Sequence, residues 1–237
     1  MRGAAAPMEN LILYAPLLAR GTLVTLELAL ASLLLATILG ALGAAGKIGG
    51  GPVARNVVFG YTTLVRGIPD LVLILLVYFG GQRLLGVLGG WFGFGYIDIS
   101  KFWAGVTAIG FFYGAYLTET FRGAYMTIPR GQIEAARALG LRRFVILWKV
   151  TLPQLVRFAI AGYANVWQVL IKSTAVVSVI SLQDLVGLAN DAGKSVREPF
   201  TFFAAVFVIY LLFTFVSQSI FNWAERRYTI KGRNDAA

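Results

Sequence analysis

TLVTLELALASLLLATILGALGAAG, residues 22–46, is a run of 25 residues with a single charge, Glu27. As an α-helix it would reach about 38 Å, more than the roughly 30 Å of hydrocarbon in a bilayer. A helix apolar on every side has no face to offer water, so its solvent is lipid. Four further stretches match it in length and composition, at 57–80, 102–124, 158–182 and 200–223. Segment 84–96 is apolar too, but it is short and broken by glycine, which reads as interfacial rather than spanning. Trp91, Phe92, Phe94, Tyr96 and Trp103 read as an aromatic belt at the membrane surface. The expected fold is therefore an all-α integral membrane protein with about five transmembrane helices.

Composition agrees. Of 237 residues, 58% are hydrophobic and 14% charged, against about 25% charged in globular domains. Cysteine and histidine are both absent, which excludes thiol chemistry, thiolate metal sites and histidine-based triads. GALGAAGK, ending at Lys47, brushes against a phosphate-binding loop, but Ile48 stands where a hydroxyl is required. The net charge of +10 suits either nucleic acid or positively charged inner loops, and its distribution favours the loops. Thirteen of the 21 lysines and arginines fall in the first and third interhelical stretches and the C-terminal tail, six on the opposite side. Arg66 and Lys172 lie inside apolar stretches. This puts the N-terminus outside and the C-terminus in the cytoplasm. The chain divides into an outer segment 1–21, a membrane domain 22–223 with a cytoplasmic loop at 125–157, and a tail 224–237.

That loop contains RGQIEAARALGLRRFVILWKVTLP, residues 130–153. Ile133, Ala136, Leu139 and Leu141 recur at helical spacing, and Gly140 ends the short helix in the left-handed role that glycine fills at C-termini. On its own such a helix could simply rest on the membrane. Glu134-Ala135-Ala136, three residues, Gly140, nine residues, Val150, one residue and Leu152-Pro153 resemble the signature of ABC importer permeases, with valine in place of the usual isoleucine. GYTTLVRGIPDLVLIL (60–75), GAYLTETFRGAYMTIPRG (114–131), NVWQVLIKSTAVVS (165–178), AGKSVREPF (192–200) and ERRYT (225–229) extend the likeness over nearly the whole chain. Together they resemble the polar amino-acid permeases, in particular the Q-type subunits of histidine/lysine/arginine/ornithine, arginine/ornithine and opine importers.

The resemblance implies a type I ABC importer permease fold in a bacterial inner membrane. It implies a heterodimer with a second, related permease, two ATPase subunits and a periplasmic substrate-binding protein. Helix 130–140 would dock on the ATPase. ATP and Mg would be used by that partner, with no cofactor on this chain, no catalytic residue and no role for nucleic acid; the substrate would be a basic amino acid. A self-sufficient channel or secondary carrier fits less well, since neither needs an ATPase-docking helix and no internal repeat is evident.

Ionisable groups within spans are costly and mark candidate functional positions. Counted along the stretch from Val57, Asp70 falls about 20 Å into its helix, after Pro69. It could bind a guanidinium or ammonium, or pair with Lys172. Glu119 lies one turn before Arg122, a local pair more than a selectivity element. Glu27 either draws cations to the entrance or snorkels. Asn165, Gln168 and Lys172 form a stripe on span four that either faces the translocation path or ties helices together. Many polar amino-acid permeases carry aspartate where this chain has Ser173, which leaves Asp70 and Glu27 as the stronger candidates for cation selectivity. Gly110 and Gly114 form a GxxxG suited to close packing. Asp184, Asp191, Lys194, Arg197 and Glu198 fall on the outer side, where some would meet the binding protein.

Because the chain has no cysteine of its own, its orientation is directly testable. A cysteine introduced at Ala237 is expected to react with an impermeant thiol reagent only after the inner membrane is opened. Labelling from the periplasmic side of intact membranes would invert the topology.

Overall fold

The computed structural model describes residues 7–92 and 99–228. Phe94 and Tyr96 of the aromatic belt, Arg2, and Lys231, Arg233 and Ala237 of the tail lie outside the described residues. Among the described residues all regular structure is helical: α1 (Pro7–Gly49), α2 (Pro52–Arg66), α3 (Asp70–Leu75), a π-helical turn at Leu76–Gly80, α4 (Gly81–Phe92), α5 (Lys101–Met126), α6 (Arg130–Ala138), α7 (Arg143–Ile146), a second π-helical turn at Leu147–Thr151, α8 (Leu152–Ser173), a 3₁₀ segment at Thr174–Ile180, α9 (Leu185–Val196) and α10 (Pro199–Tyr228). Prolines punctuate this order. Pro52 opens α2, while Pro69 and Pro129 immediately precede α3 and α6, positions where the missing N–H costs nothing and the fixed φ helps. Pro153 sits where its ring would press on the carbonyl four residues back, and the widened turn Leu147–Thr151 directly precedes α8.

Four helical stretches are long and apolar enough to cross a membrane: Met8–Gly49, Asp70–Trp91, Arg143–Ile180 and Pro199–Tyr228. The 26-residue α5 matches them in length but is the most enclosed, with Ala108, Ala115, Leu117 and Thr118 fully buried. Several boundaries differ from the sequence reading: α1 already begins at Pro7 rather than at 22, and the helix of the fourth stretch begins at Arg143 rather than at 158. The stretch 57–80 is two helices, because Gly67–Pro69 ends α2, and the apolar crossing begins at Asp70 instead. Segment 84–96, read as interfacial, is through Phe92 the second half of that crossing, since α4 follows the π-turn without a break.

Between lipid-facing helices there is little hydrophobic driving force, so close packing and polar ties must supply the cohesion. α5 is built for this. Its Gly110 faces the Leu35 side chain and its Gly114 faces Leu39 and Tyr61, leaving no room for a Cβ at either position. The GxxxG thus seats α1 against α5. Tyr61 donates to the Phe111 carbonyl at 2.6 Å, and the Thr37 and Tyr163 hydroxyls meet at 2.9 Å, linking α1 to α8. A second cluster, with Leu18, Leu185, Ala189 and Phe202 at its centre, joins the first half of α1 to α9 and α10. Leu13, Leu34, Phe207, Phe215 and Trp223 are exposed around the bundle, as a lipid-facing surface requires.

Asp184, counted above among outer-side charges, is fully buried as the N-cap of α9. Its carboxylate accepts the Gly187 N–H at 2.9 Å, while the next residue's N–H is taken by Thr25 of α1 at 3.1 Å. Burial pushes this carboxyl up from 3.8 to about 6, against the backbone N–H groups that favour its charge. The folded form therefore holds a proton that the unfolded chain releases, and the associated stability is present at low pH and lost as pH rises through about 6. Asp184→Asn keeps an acceptor for the cap and cannot ionise. The melting temperature of the unmodified chain, measured relative to Asp184→Asn, is expected to fall between about pH 4 and 7. A difference flat across that window would remove the assignment.

Candidate functional site

The break in the second crossing positions the first candidate site. Gly67 N–H bonds the Leu64 carbonyl at 3.1 Å to close α2, Pro69 is extended, and Asp70 opens α3. Asp70 is thus at a helix start and not midway along a helix. Its Oδ2 accepts from Ser173 Oγ at 2.9 Å, and Ser173 Oγ lies 2.5 Å from Tyr113 Oη. Each hydroxyl has one proton, so with Ser173 donating to the carboxylate, Tyr113 must donate to Ser173. The result is a polarised chain, Tyr113 to Ser173 to Asp70, from α5 through α8 to α3. Tyr113 and Ser173 are buried, and Asp70 is partly open. Beside it the Tyr113 and Tyr116 rings lie 5.8 Å apart, with the Arg66 guanidinium 5.1 Å from the Tyr116 centroid.

Lys172 is exposed, and among the described residues no cation lies within ion-pair distance of Asp70. The alternative of an internal Asp70–Lys172 pair is absent. The stripe on span four also divides. Gln168 donates to the Thr214 carbonyl at 3.3 Å, tying α8 to α10, whereas Asn165 and Lys172 are exposed. Glu27 is exposed on α1, without a bond to Asp70.

Glu119 has the expected partner, Arg122 Nε at 2.9 Å, and a second one that the sequence did not reveal. Lys47, in the last turn of α1, pairs with the other carboxylate oxygen and also donates to Thr62 Oγ1 at 2.7 Å. The Lys47–Glu119 pair and the Lys47–Thr62 bond thereby join α1 to α5 and α2. An unaccompanied lysine at the end of span one was the only sequence signal for this, and it named no partner.

The basic loop forms a second site. α6 ends with Gly140 at φ +73°, where the Leu141 N–H bonds the Ala136 carbonyl at 3.2 Å and the Gly140 N–H bonds the Arg137 carbonyl at 2.9 Å. This is a Schellman closure, and it needs a residue at ease in the left-handed region. It turns α6 back against the start of the helix Arg143–Ile180, burying Ala136. Glu134 and Ala135 remain exposed, and so do Leu139 (79%) and Phe144 (71%). Val150, Leu152 and Pro153 lie in the following helix, Val150 within the π-turn.

The profile of the family described as "Binding-protein-dependent transport system inner membrane component" matches residues 32–230. The chain belongs to this family. As such a permease it is a non-catalytic, multi-pass component of a bacterial inner membrane. It is 46% identical over 217 residues to the histidine/lysine/arginine/ornithine transport system permease protein HisQ of Escherichia coli (strain K12), covering 92% of this chain and 95% of that one. It is 42% identical to the nopaline transport system permease protein NocQ of Agrobacterium fabrum, over 88% and 89% of the two chains. Among solved structures, an amino acid ABC transporter crystallised with histidines aligns with a TM-score of 0.78 at 28% identity, over 92% of the permease and 96% of that chain. The type I importer architecture expected from the loop signature is therefore the observed one.

Gly140→Val would force a β-branched residue into the left-handed region at a cost of about 1–2 kcal/mol, fraying the last turn of α6. Trypsin is expected to cut that variant faster at Arg142 and Arg143 in inner-membrane vesicles, with Gly140→Asn in between. Equal cutting of all three chains would remove the structural case for the closure.

Proposed function

We propose that this permease is the transmembrane subunit of an ATP-driven importer for basic amino acids of the histidine/arginine/lysine/ornithine class. It pairs with a second, related permease, two ATPase subunits that use ATP and Mg, and a periplasmic substrate-binding protein; no cofactor resides on this chain. The observation that carries the substrate class is the Asp70 carboxylate, held at a helix break by Ser173 and Tyr113, in a chain close in sequence to a permease named for those substrates. A guanidinium or ammonium arriving at the partly open side of Asp70 can take over the bond from Ser173, whose hydroxyl keeps Tyr113 as a neighbour. Glu27, exposed on α1, adds a negative group nearer the outside; Asn165 and Lys172 are exposed on α8 and available to the path, while Gln168 serves as a tie to α10. Glu119 is a structural tie in this scheme.

Coupling runs through one helix. The exposed face of α6, with Glu134, Ala135 and Leu139, and the neighbouring Phe144 form an apolar and charged surface suited to the ATPase. Ala136 and the Gly140 closure clamp α6 onto the helix Arg143–Ile180, in which Val150, Leu152 and Pro153 shape the first turns. The same helix carries Ser173 about 45 Å further along at 1.5 Å per residue. A displacement of α6 by the ATPase therefore moves Ser173 relative to Asp70, which is held on α3, and alters the carboxylate's hold on a cation. A second reading, an opine as substrate, is favoured by the likeness to the nopaline permease.

Asp70→Asn keeps the shape and removes the charge. Hydrogen bonds to charged groups contribute about 1.5–3 kcal/mol, roughly ten- to a hundredfold in affinity. Uptake of arginine or lysine by the assembled importer is expected to weaken by about that factor, with the amount of complex in the membrane unchanged. Competition by nopaline as strong as by arginine would favour the second reading, and wild-type uptake by Asp70→Asn would defeat both.

A further inference from the structure

The helix break has a charge at each end: Arg66 closes α2, and Asp70 opens α3. Only Gly67, Ile68 and Pro69 separate them, with Arg66 exposed and Asp70 partly open. They are opposite in sign, yet they do not pair with each other, and among the described residues neither has an ion-pair partner. The one acid of α5, Glu119, is closed to Arg66, since one of its carboxylate oxygens is on Lys47 and the other on Arg122. An exposed arginine is commonly just a solvated one. Arg66 differs, because its guanidinium is seated over the Tyr116 ring, 5.1 Å from the centroid.

That ring belongs to the Asp70 site. Tyr113 and Tyr116 lie one turn apart on α5, their centroids separated by 5.8 Å. Tyr113 reaches Asp70 through Ser173, and Tyr116 packs against the main core. A fixed ring therefore holds the guanidinium beside the hydroxyl chain, which lowers the ordering cost of using it. A guanidinium held by its face keeps its N–H edge free, and that fork matches a carboxylate in two parallel bonds. Lys172, also exposed beside Ser173, is a flexible point charge, and among the described residues it rests on no ring. An unpaired carboxylate and an unpaired guanidinium at the two ends of one break suit a molecule that carries both signs, as every free amino acid does. We infer that Arg66 binds the α-carboxylate of the substrate while Asp70 holds its cationic end, an assignment that rests on Asp70 being the cation site proposed above. The break then reads an amino acid by both its charges, and a bare cation by only one.

The test uses the purified complex of permeases and ATPases, without the binding protein, whose own selectivity would otherwise enter. The probes are arginine and agmatine, which is arginine without its carboxylate, and their affinities are read by displacement of radiolabelled arginine. The unmodified complex is expected to favour arginine about fivefold, the upper end for an exposed ion pair. Arg66→Gln should lose that preference by weakening arginine alone, with agmatine binding unchanged as the check on folding. Arg66→Lys should keep part of it. Asp70→Asn should weaken both ligands alike. Equal affinities in the unmodified complex overturn the inference, and so does a preference that survives in Arg66→Gln. Agmatine weakened as much as arginine in Arg66→Gln would make the residue structural and overturn it too. Tighter arginine binding by Arg66→Gln would show Arg66 competing with the substrate's cation, again the opposite of the assignment. If Asp70→Asn leaves both affinities unchanged, or the unmodified complex binds neither ligand, the cation site fails along with the role of Arg66. A loss in Asp70→Asn beside an unchanged ratio in Arg66→Gln defeats the role of Arg66 alone.

Discussion

In hydrocarbon a backbone N–H or carbonyl has no water to turn to, and each one left unbonded costs several kcal/mol. The rest of this structure follows from that constraint. Continuous helices are the only safe way through, and any departure from them must be shielded by protein. The three non-helical residues Gly67–Pro69 are such a departure; the Gly67 and Ile68 N–H groups still bond the Leu64 and Val65 carbonyls, and the break lies where α2 and α3 pack on α5. Asp70 sits at the new helix start with a hydroxyl chain behind it. The two π-helical turns are milder departures, since they widen the helix without leaving its bonds unmade.

Cohesion then depends on what can come close. α5 presents small residues to α1, so that backbone approaches backbone and many weak dispersion contacts accumulate. The polar ties are few and concentrated. Glu119 and Lys47 tie α5 to α1, and Lys47 reaches α2 through Thr62, while the two bonds from Tyr113 through Ser173 to Asp70 join α5, α8 and α3. Such ties hold helices in a definite rotation as well as together, because a hydrogen bond fails with a small error in angle where an apolar contact tolerates it. The helix Arg143–Ile180 runs between α6 and the Asp70 break within that frame. One end is clamped to α6 and the other carries Ser173, which bonds the Asp70 carboxylate of α3.

Several of these features are legible in the amino-acid chain. Apolar runs of sufficient length located the long helices, though not all of their ends, because a helix satisfies its own backbone four residues away and needs no knowledge of its neighbours. The spacing from Glu134 to Pro153 is equally local. Gly140 at φ +73° is where that spacing requires a left-handed residue, and the cap bonds all run within five residues. The RGIP sequence at 66–69 already contained the helix break, but the unbroken apolarity of 57–80 outweighed it, and Asp70 was set a helix's depth from where it stands.

The partners of the charged and polar groups were decided elsewhere. Lys47 and Glu119 are 72 residues apart, and Asp70 and Ser173 are 103. No periodicity relates such positions, because the pairing depends on how far each helix is rotated and shifted against the next. The tertiary packing sets that rotation through Gly110 and Gly114 against Leu35 and Leu39, and only then does Ser173, rather than Lys172, face Asp70. The sequence by itself determined which segments are helices, what solvent they meet and the form of the α6 closure, all consequences of interactions within a few residues. The tertiary structure alone decided which carboxylate meets a hydroxyl and which meets an ammonium, since helices that satisfy their own backbones are free to choose their neighbours by side-chain fit.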